Sequence, residues 1–154
     1  MPPTVAKVIL APRERQVLEG LADGSMIAEV ALSLQIREGT ASGYLKLAKR
    51  KLYGVRETAA ALAVAYATKA IDRPNLLDPG SLYLPREQRE LVPLIAQEMT
   101  AAQMATVLKR EVDIVRRDGR ELLGNLRARN RAHAITRAWT YQFLTVEQVI
   151  EWLR

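Results

Sequence analysis

The chain has 154 residues, 49% of them hydrophobic and 26% charged, which is enough apolar content to bury a core and excludes a wholly disordered chain. It contains no cysteine, so disulfides and thiolate metal sites are excluded. Its net charge of +6 favours a polyanionic partner, nucleic acid first, while leaving an anionic membrane surface open.

Aromatic residues make up 5% and alanine is abundant, so helix is favoured over strand throughout and the expected fold class is all-α. The opening MPPTVAKVILAP is too short in apolar run and too poor in basic residues for a signal peptide. No stretch reaches the about 18 apolar residues of a membrane span, so a cytoplasmic location is expected.

Pro12 marks the first turn of a helix that places Val17, Leu18, Leu21 and Ala22 on one face and stops at Asp23-Gly24. A second helix after Ser25 presents Ile27, Val30, Ala31 and Leu34, and a tight Gln35-Ile36-Arg37 turn follows. The third helix, from about Glu38 to Leu52, turns Ala41, Leu45, Ala48 and Leu52 inward. Two short helices joined by a tight turn, the second with a basic outer face, form the helix-turn-helix arrangement that suits a major groove.

The outer positions of that third helix include Thr40, Ser42, Gly43, Lys46, Lys49 and Arg50, cations able to neutralise phosphates or read guanine edges. The alternative is an ordinary solvated helix face. Gly43 costs its helix about 1 kcal/mol relative to alanine and is either a site of close approach or a tolerated defect. A fourth helix near Glu57 to Lys69 carries Ala59, Ala60, Ala61, Ala63, Ala65 and Ala67. Its smooth surface suits close packing, against the Ala132 to Ala138 helix of the same chain or in a homodimer.

Shifting the sequence by 74 residues aligns its two halves without a gap: Leu10 meets Leu84, Arg15 meets Arg89, Ala22 meets Ala96, Ala31 meets Ala105 and Leu52 meets Leu126. The Pro, Asn, Asp, Gly and Ser cluster within 71–83 reads as a linker. The expected organisation is therefore a first module over 1–70, a linker over 71–83, a second module over 84–140 and a C-terminal helix over 141–154. That last helix opens with a Thr145/Gln148 capping box and presents Val146, Val149, Ile150 and Leu153. Trp139, Tyr141, Phe143 and Trp152 cluster nearby, as anchors for a protein partner or as core beneath the helix.

The segment from Leu10 to Leu62 resembles the LuxR or GerE type of helix-turn-helix domain. The resemblance is carried by Pro12-Arg13-Glu14-Arg15, Glu29-Val30-Ala31, Arg37-Glu38-Gly39-Thr40, Lys51-Leu52 and Gly54-Val55. It implies four helices, with the third in the major groove and the fourth in a dimer contact. Where family members carry T-V-K-x-H, this chain has Thr40-Ala41-Ser42-Gly43-Tyr44, so Tyr44 occupies a DNA-contacting position while the Lys and His are lost. The second module resembles the family more weakly, at Ile95-Ala96, Thr100 to Gln103, Ala105, Leu108, Asn130-Arg131 and Ala134-Ile135.

In the second module Arg116 and Arg120 lie one turn apart with Arg117 beside them, either engaging guanine or phosphates or forming surface ion pairs with Asp118 and Glu121. Glu111, Asp113 and Asp118 add acid there that phosphates would repel. The lone histidine, His133, has no catalytic constellation around it, and neither a P-loop nor a metal-ligand spacing occurs. The expected protein is not an enzyme and takes no cofactor or metal. It is a nucleoid-associated, sequence-specific regulator of transcription binding double-stranded DNA through tandem modules acting as a covalent pseudo-dimer. The competing reading is a regulator that docks another transcription factor or RNA polymerase, one or both modules having lost DNA readout.

Overall fold

The computed structural model describes residues 6–153, which fold into ten α-helices and one short 3-10 turn, with no strand among the described residues. The first half contains α1 (Pro12–Leu21), α2 (Ile27–Leu34), α3 (Glu38–Lys51) and α4 (Thr58–Thr68). The second contains α5 (Arg86–Arg89), α6 (Leu91–Ala96), α7 (Ala101–Leu108), α8 (Val112–Leu126), α9 (Arg131–Thr140) and α10 (Val146–Leu153). The all-α expectation is met.

Local sequence explains where these helices begin and end. Pro12 occupies the first turn of α1, and the Glu14 carboxylate accepts from the Ala11 backbone N–H at 3.0 Å, satisfying a donor the helix leaves orphaned. Glu29 does the same for Met26 at the start of α2, at 2.8 Å. Thr100 and Gln103 form a complete capping box on α7. α2 ends where Gln35 turns left-handed, at φ 58°.

The helices recur at the 74-residue spacing. α2 begins at residue 27 and ends at 34, and α7 begins at 101 and ends at 108; α3 opens at 38 and α8 at 112. Left-handed backbone recurs too, at Gly24 and Glu98, at Gln35 and Lys109, and at Tyr53 and Arg127. α1 has no unbroken counterpart, because Pro93 lacks the N–H that would reach back to Arg89, and the corresponding stretch divides into α5 and α6. A half-buried pair, its acceptor buried and its donor exposed, also recurs with changed chemistry. Lys51 Nζ donates to Glu14 at 2.8 Å, and 74 positions on Asn125 Nδ2 donates to Gln88 at 2.7 Å.

One hydrophobic core runs through both halves, from Leu18 and Leu52 across α4 to Leu91, Leu122, Leu126, Ile135 and Val149. A smaller cluster of Val17, Leu21, Val30, Ala31 and Ala41 lies under the α1–α3 unit. α4 is the hub. Every residue from Ala59 to Thr68 is buried, packed by α9, α6, α10, α1 and α3. Alanine allows this because its small side chain lets helices approach on all sides at little entropic cost. Tyr66 closes the α4–α9 contact through a 3.0 Å hydrogen bond to Thr136 and a ring contact with Trp139, centroids 5.5 Å apart.

This packing bears on two pairs of alternatives. A homodimer through the Ala-rich fourth helices has no free face to use, since α9 and α10 of the same chain already cover α4. In the C-terminal aromatic segment Trp139 is 4% exposed, Phe143 and Trp152 are partly buried against the core, and Tyr141 lies half-buried beneath the Arg137 guanidinium, the arrangement of a core beneath the last helix. The 71–83 segment is tied down as well, Leu77 N–H donating to the Thr140 carbonyl at 2.8 Å and Gln142 donating to the Leu77 carbonyl at 3.0 Å.

Candidate nucleic-acid interface

α3 lies across α1 and α2, held by Ala41, Ala48 and the following Leu52, all fully buried. With that face fixed, the 100° turn per residue points Thr40, Ser42, Gly43, Lys46 and Arg50 outward, and all five are exposed. Nothing lies within 4 Å of a Cβ placed on Gly39 or Gly43, so neither glycine is demanded by internal packing. Four cations, Lys46, Lys49, Arg50 and Lys51, stand on this helix against one carboxylate, Glu38.

Two of the expected contact residues are placed differently. Tyr44 is half-buried against the Val17, Val30 and Ala41 cluster, because its position falls on the flank of the inward stripe and the ring gains more from apolar contact than from solvent. Lys49 is half-buried at the end of α3 rather than projecting with Lys46 and Arg50. Burial pulls its ammonium pKa down, and the charges of Glu98 and Glu57 partly oppose that. Lys51 turns back to the buried Glu14; burial of that carboxylate opposes ionisation, but the hydrogen bonds from Lys51 and Ala11 and the Lys51 charge hold its pKa below the ordinary value.

α8 presents a different surface. Arg116, Arg117 and Arg120 are exposed, but Asp113 pairs with Arg116 at 3.2 Å, and Arg117 stands 3.8 Å from Asp118. Asp118 does not project toward the outer face as expected. It is buried, with Arg110 at 4.0 Å, and Arg110 also pairs with Glu90. Three arginines here meet three carboxylates, Asp113, Asp118 and Glu121, so α8 carries little net field where α3 is strongly cationic.

His133 is structural in its contacts. Its Nδ1 accepts from the Arg129 N–H at 3.1 Å, and its own backbone N–H donates to the N-cap Asn130 at 2.9 Å. Burial, then the charge of Arg137, lowers its pKa, with Arg129 adding to this and Asp23 opposing it.

A trihelical unit with a cationic third helix laid across the first two is the geometry of a major-groove reader. Residues 8–65 match the luxR family of bacterial regulatory proteins. The matched segment spans α1 to α3 and most of α4 and so contains the cationic face just described. The luxR family is made of DNA-binding regulators, not enzymes. No curated protein and no solved structure matches the chain. No described helix is long and apolar enough to cross a membrane.

One cation escaped the helical reading. Arg56 lies beyond α3, after the left-handed Gly54 at φ 70°, and its side chain is 91% exposed beside Lys46, Lys49 and Arg50. A periodicity argument ends with the helix. The Gly54 turn that folds the chain back along it was the available signal.

Proposed function

We propose that the protein is a sequence-specific DNA-binding regulator of transcription, acting in the cytoplasm on the nucleoid, whose two tandem helix-turn-helix modules work as a covalent pseudo-dimer. In this reading residues 1–70 and 84–140 are the modules, 71–83 joins them, and 141–154 adds a helix that braces α4.

The observation that carries the reading is a set of reciprocal contacts between the halves. The Gly24 carbonyl accepts from Asn130 Nδ2 at 2.9 Å, while Glu98, 74 positions after Gly24, accepts from the backbone N–H groups of Arg56 and Glu57, at 2.7 Å for Glu57. Arg56 stands 74 positions before Asn130, so the two contacts exchange under the shift. Glu57 and Arg131, themselves 74 apart, meet each other at 3.4 Å. In a two-fold dimer residue i meets j and j meets i, and a residue on the axis meets its own copy. Recurrence of the helix bounds and of the half-buried Glu14–Lys51 and Gln88–Asn125 pairs supports the same reading.

Linking the modules raises the effective concentration of the second for its half-site, and avidity of about a hundredfold over one module follows when both engage. Thr40, Ser42, Gly43, Lys46 and Arg50 form the reading surface of the first module, with Arg116, Arg117 and Arg120 the weaker surface of the second. Selection from a random-sequence duplex pool tests this. An enriched motif that Lys46→Ala/Arg50→Ala abolishes supports a sequence reader; absence of enrichment with intact folding overturns it.

A further inference from the structure

Between the last turns of α3 and the chain entering α4 lies an open groove of about 510 Å³. Leu45 and Val55, both packed on the core, form its apolar floor, and Lys46, Lys49, Arg50 and Arg56 surround it. No carboxylate lines it. Gly54, in its left-handed turn, has nothing within 4 Å of where a Cβ would stand, so the mouth is open. The helix macrodipole accounts for Lys49 and Arg50, which sit in the last turn of α3 where cations are favoured. It does not account for Lys46, one turn earlier; Arg56, beyond the helix and 91% exposed, stands 3.9 Å from Glu98. Glu98 and Glu57 offset part of the repulsion among these cations from outside the groove, while Lys46 and Arg50 have no such partner among the described residues.

The geometry points to this groove as a phosphate seat: it holds the sugar–phosphate backbone of the duplex strand that passes α3, with Arg56 and Lys49 as phosphate contacts that carry no sequence information. The inference rests on the DNA-binding reading and adds to it residues outside the helix face. The duplex backbone is the favoured source of phosphate because the groove is continuous with the outer face of α3: Lys46 and Arg50 belong to both. The partial burial of Lys49 is consistent with this, since an anion in the groove would offset the desolvation of its ammonium.

The test uses the full chain and fluorescence anisotropy on two labelled duplexes, the selected motif and a scrambled sequence, at salt between roughly 50 and 200 mM. Arg56→Ala is expected to keep the fold, because Glu98 holds the backbone N–H of Arg56, while the side chain is solvent-exposed. It and Lys49→Met should each weaken both duplexes equally and reduce the salt slope by about 0.9, leaving the enriched motif unchanged. The seat is overturned if both variants keep the wild-type slope while Lys46→Ala/Arg50→Ala loses it, and equally if Arg56→Ala changes the motif. If the wild type binds neither duplex, the DNA reading itself fails, and inorganic phosphate becomes the probe. Amide NMR shifts at Gly54 to Arg56 that disappear in Arg56→Ala then retain the seat for a free anion, and absence of shifts overturns it.

Discussion

Gly24 and Asn130, 106 residues apart in sequence, are joined by a 2.9 Å hydrogen bond from the Asn130 side-chain amide to the Gly24 carbonyl. Gly24 has φ 89°, and a Cβ there would stand 3.0 Å from Cβ atoms of both Arg129 and His133. Gly24→Ala should therefore destabilise the protein by about 2–4 kcal/mol, left-handed strain and the steric clash acting together. Gly43→Ala is the control: its site is open and helical, so stability should rise by about 0.5–1 kcal/mol. Urea denaturation of the two variants measures both signs.

The Glu14–Lys51 and Gln88–Asn125 pairs predict a coupling. Lys51→Asn alone strands a buried carboxylate, and Glu14→Gln alone removes the partner of a cation that is 44% exposed. The lysine substitution should be the more costly of the two. The double variant recreates the amide pair of the second half and should be more stable than the sum of the singles predicts, by about 0.5–2 kcal/mol. Additivity within error would remove the coupling.

Stability should depend on pH through His133. Its folded pKa lies below its unfolded value, so above the unfolded value neither state is protonated and nothing is lost. As pH falls below about 6.5, the unfolded chain takes up the proton first, and stability declines by at most about 1.4 kcal/mol per pH unit. His133→Gln should flatten this limb between roughly pH 6.5 and 5. A wild-type curve that is flat there, or one that His133→Gln leaves unchanged, contradicts the assignment.

A second, lower limb belongs to Glu14. Its folded pKa is held below that of the unfolded chain, so its contribution is complete above the ordinary carboxylate range and is lost as pH falls through the folded value. Glu14→Gln should show a shallower acid limb than the wild type in thermal melts.

On the DNA-binding reading, the two reading helices should be unequal in their salt response. Lys46→Ala/Arg50→Ala removes two cations with no ion-pair partner among the described residues and should lower the slope of log affinity against log salt by about 1.8. Arg116→Ala/Arg120→Ala should lower it by less, since Arg116 is already neutralised by Asp113. Equal losses would mean that DNA displaces Asp113.

What could be read from the sequence was whatever rests on period and punctuation. Pro12, the Asp23-Gly24 stop and the regular return of small apolar residues placed the helices of the first half closely. Contacts that depend on the approach of distant elements could not be read. Asp118 looks like a surface acid until Arg110, from the turn before α8, is folded over it. Tyr44 sits at the edge of a stripe where a few tens of degrees decide between solvent and core. The alanines of α4 are compatible with burial, exposure or self-association, and only the arrival of α9 and α10 selects among them.

The burial of α4 bears on how such a chain can change. In an assembly of separate identical subunits, every substitution is made twice and must suit both copies, and subunits can be traded with similar proteins. Here the helix that would be traded has no open side. If the halves are linked modules, neither can be drawn into a mixed pair, and each can alter without having to match itself. On the tandem-module reading, the split of one charged pair and one amide pair, Glu14–Lys51 and Gln88–Asn125, is what such freedom leaves behind.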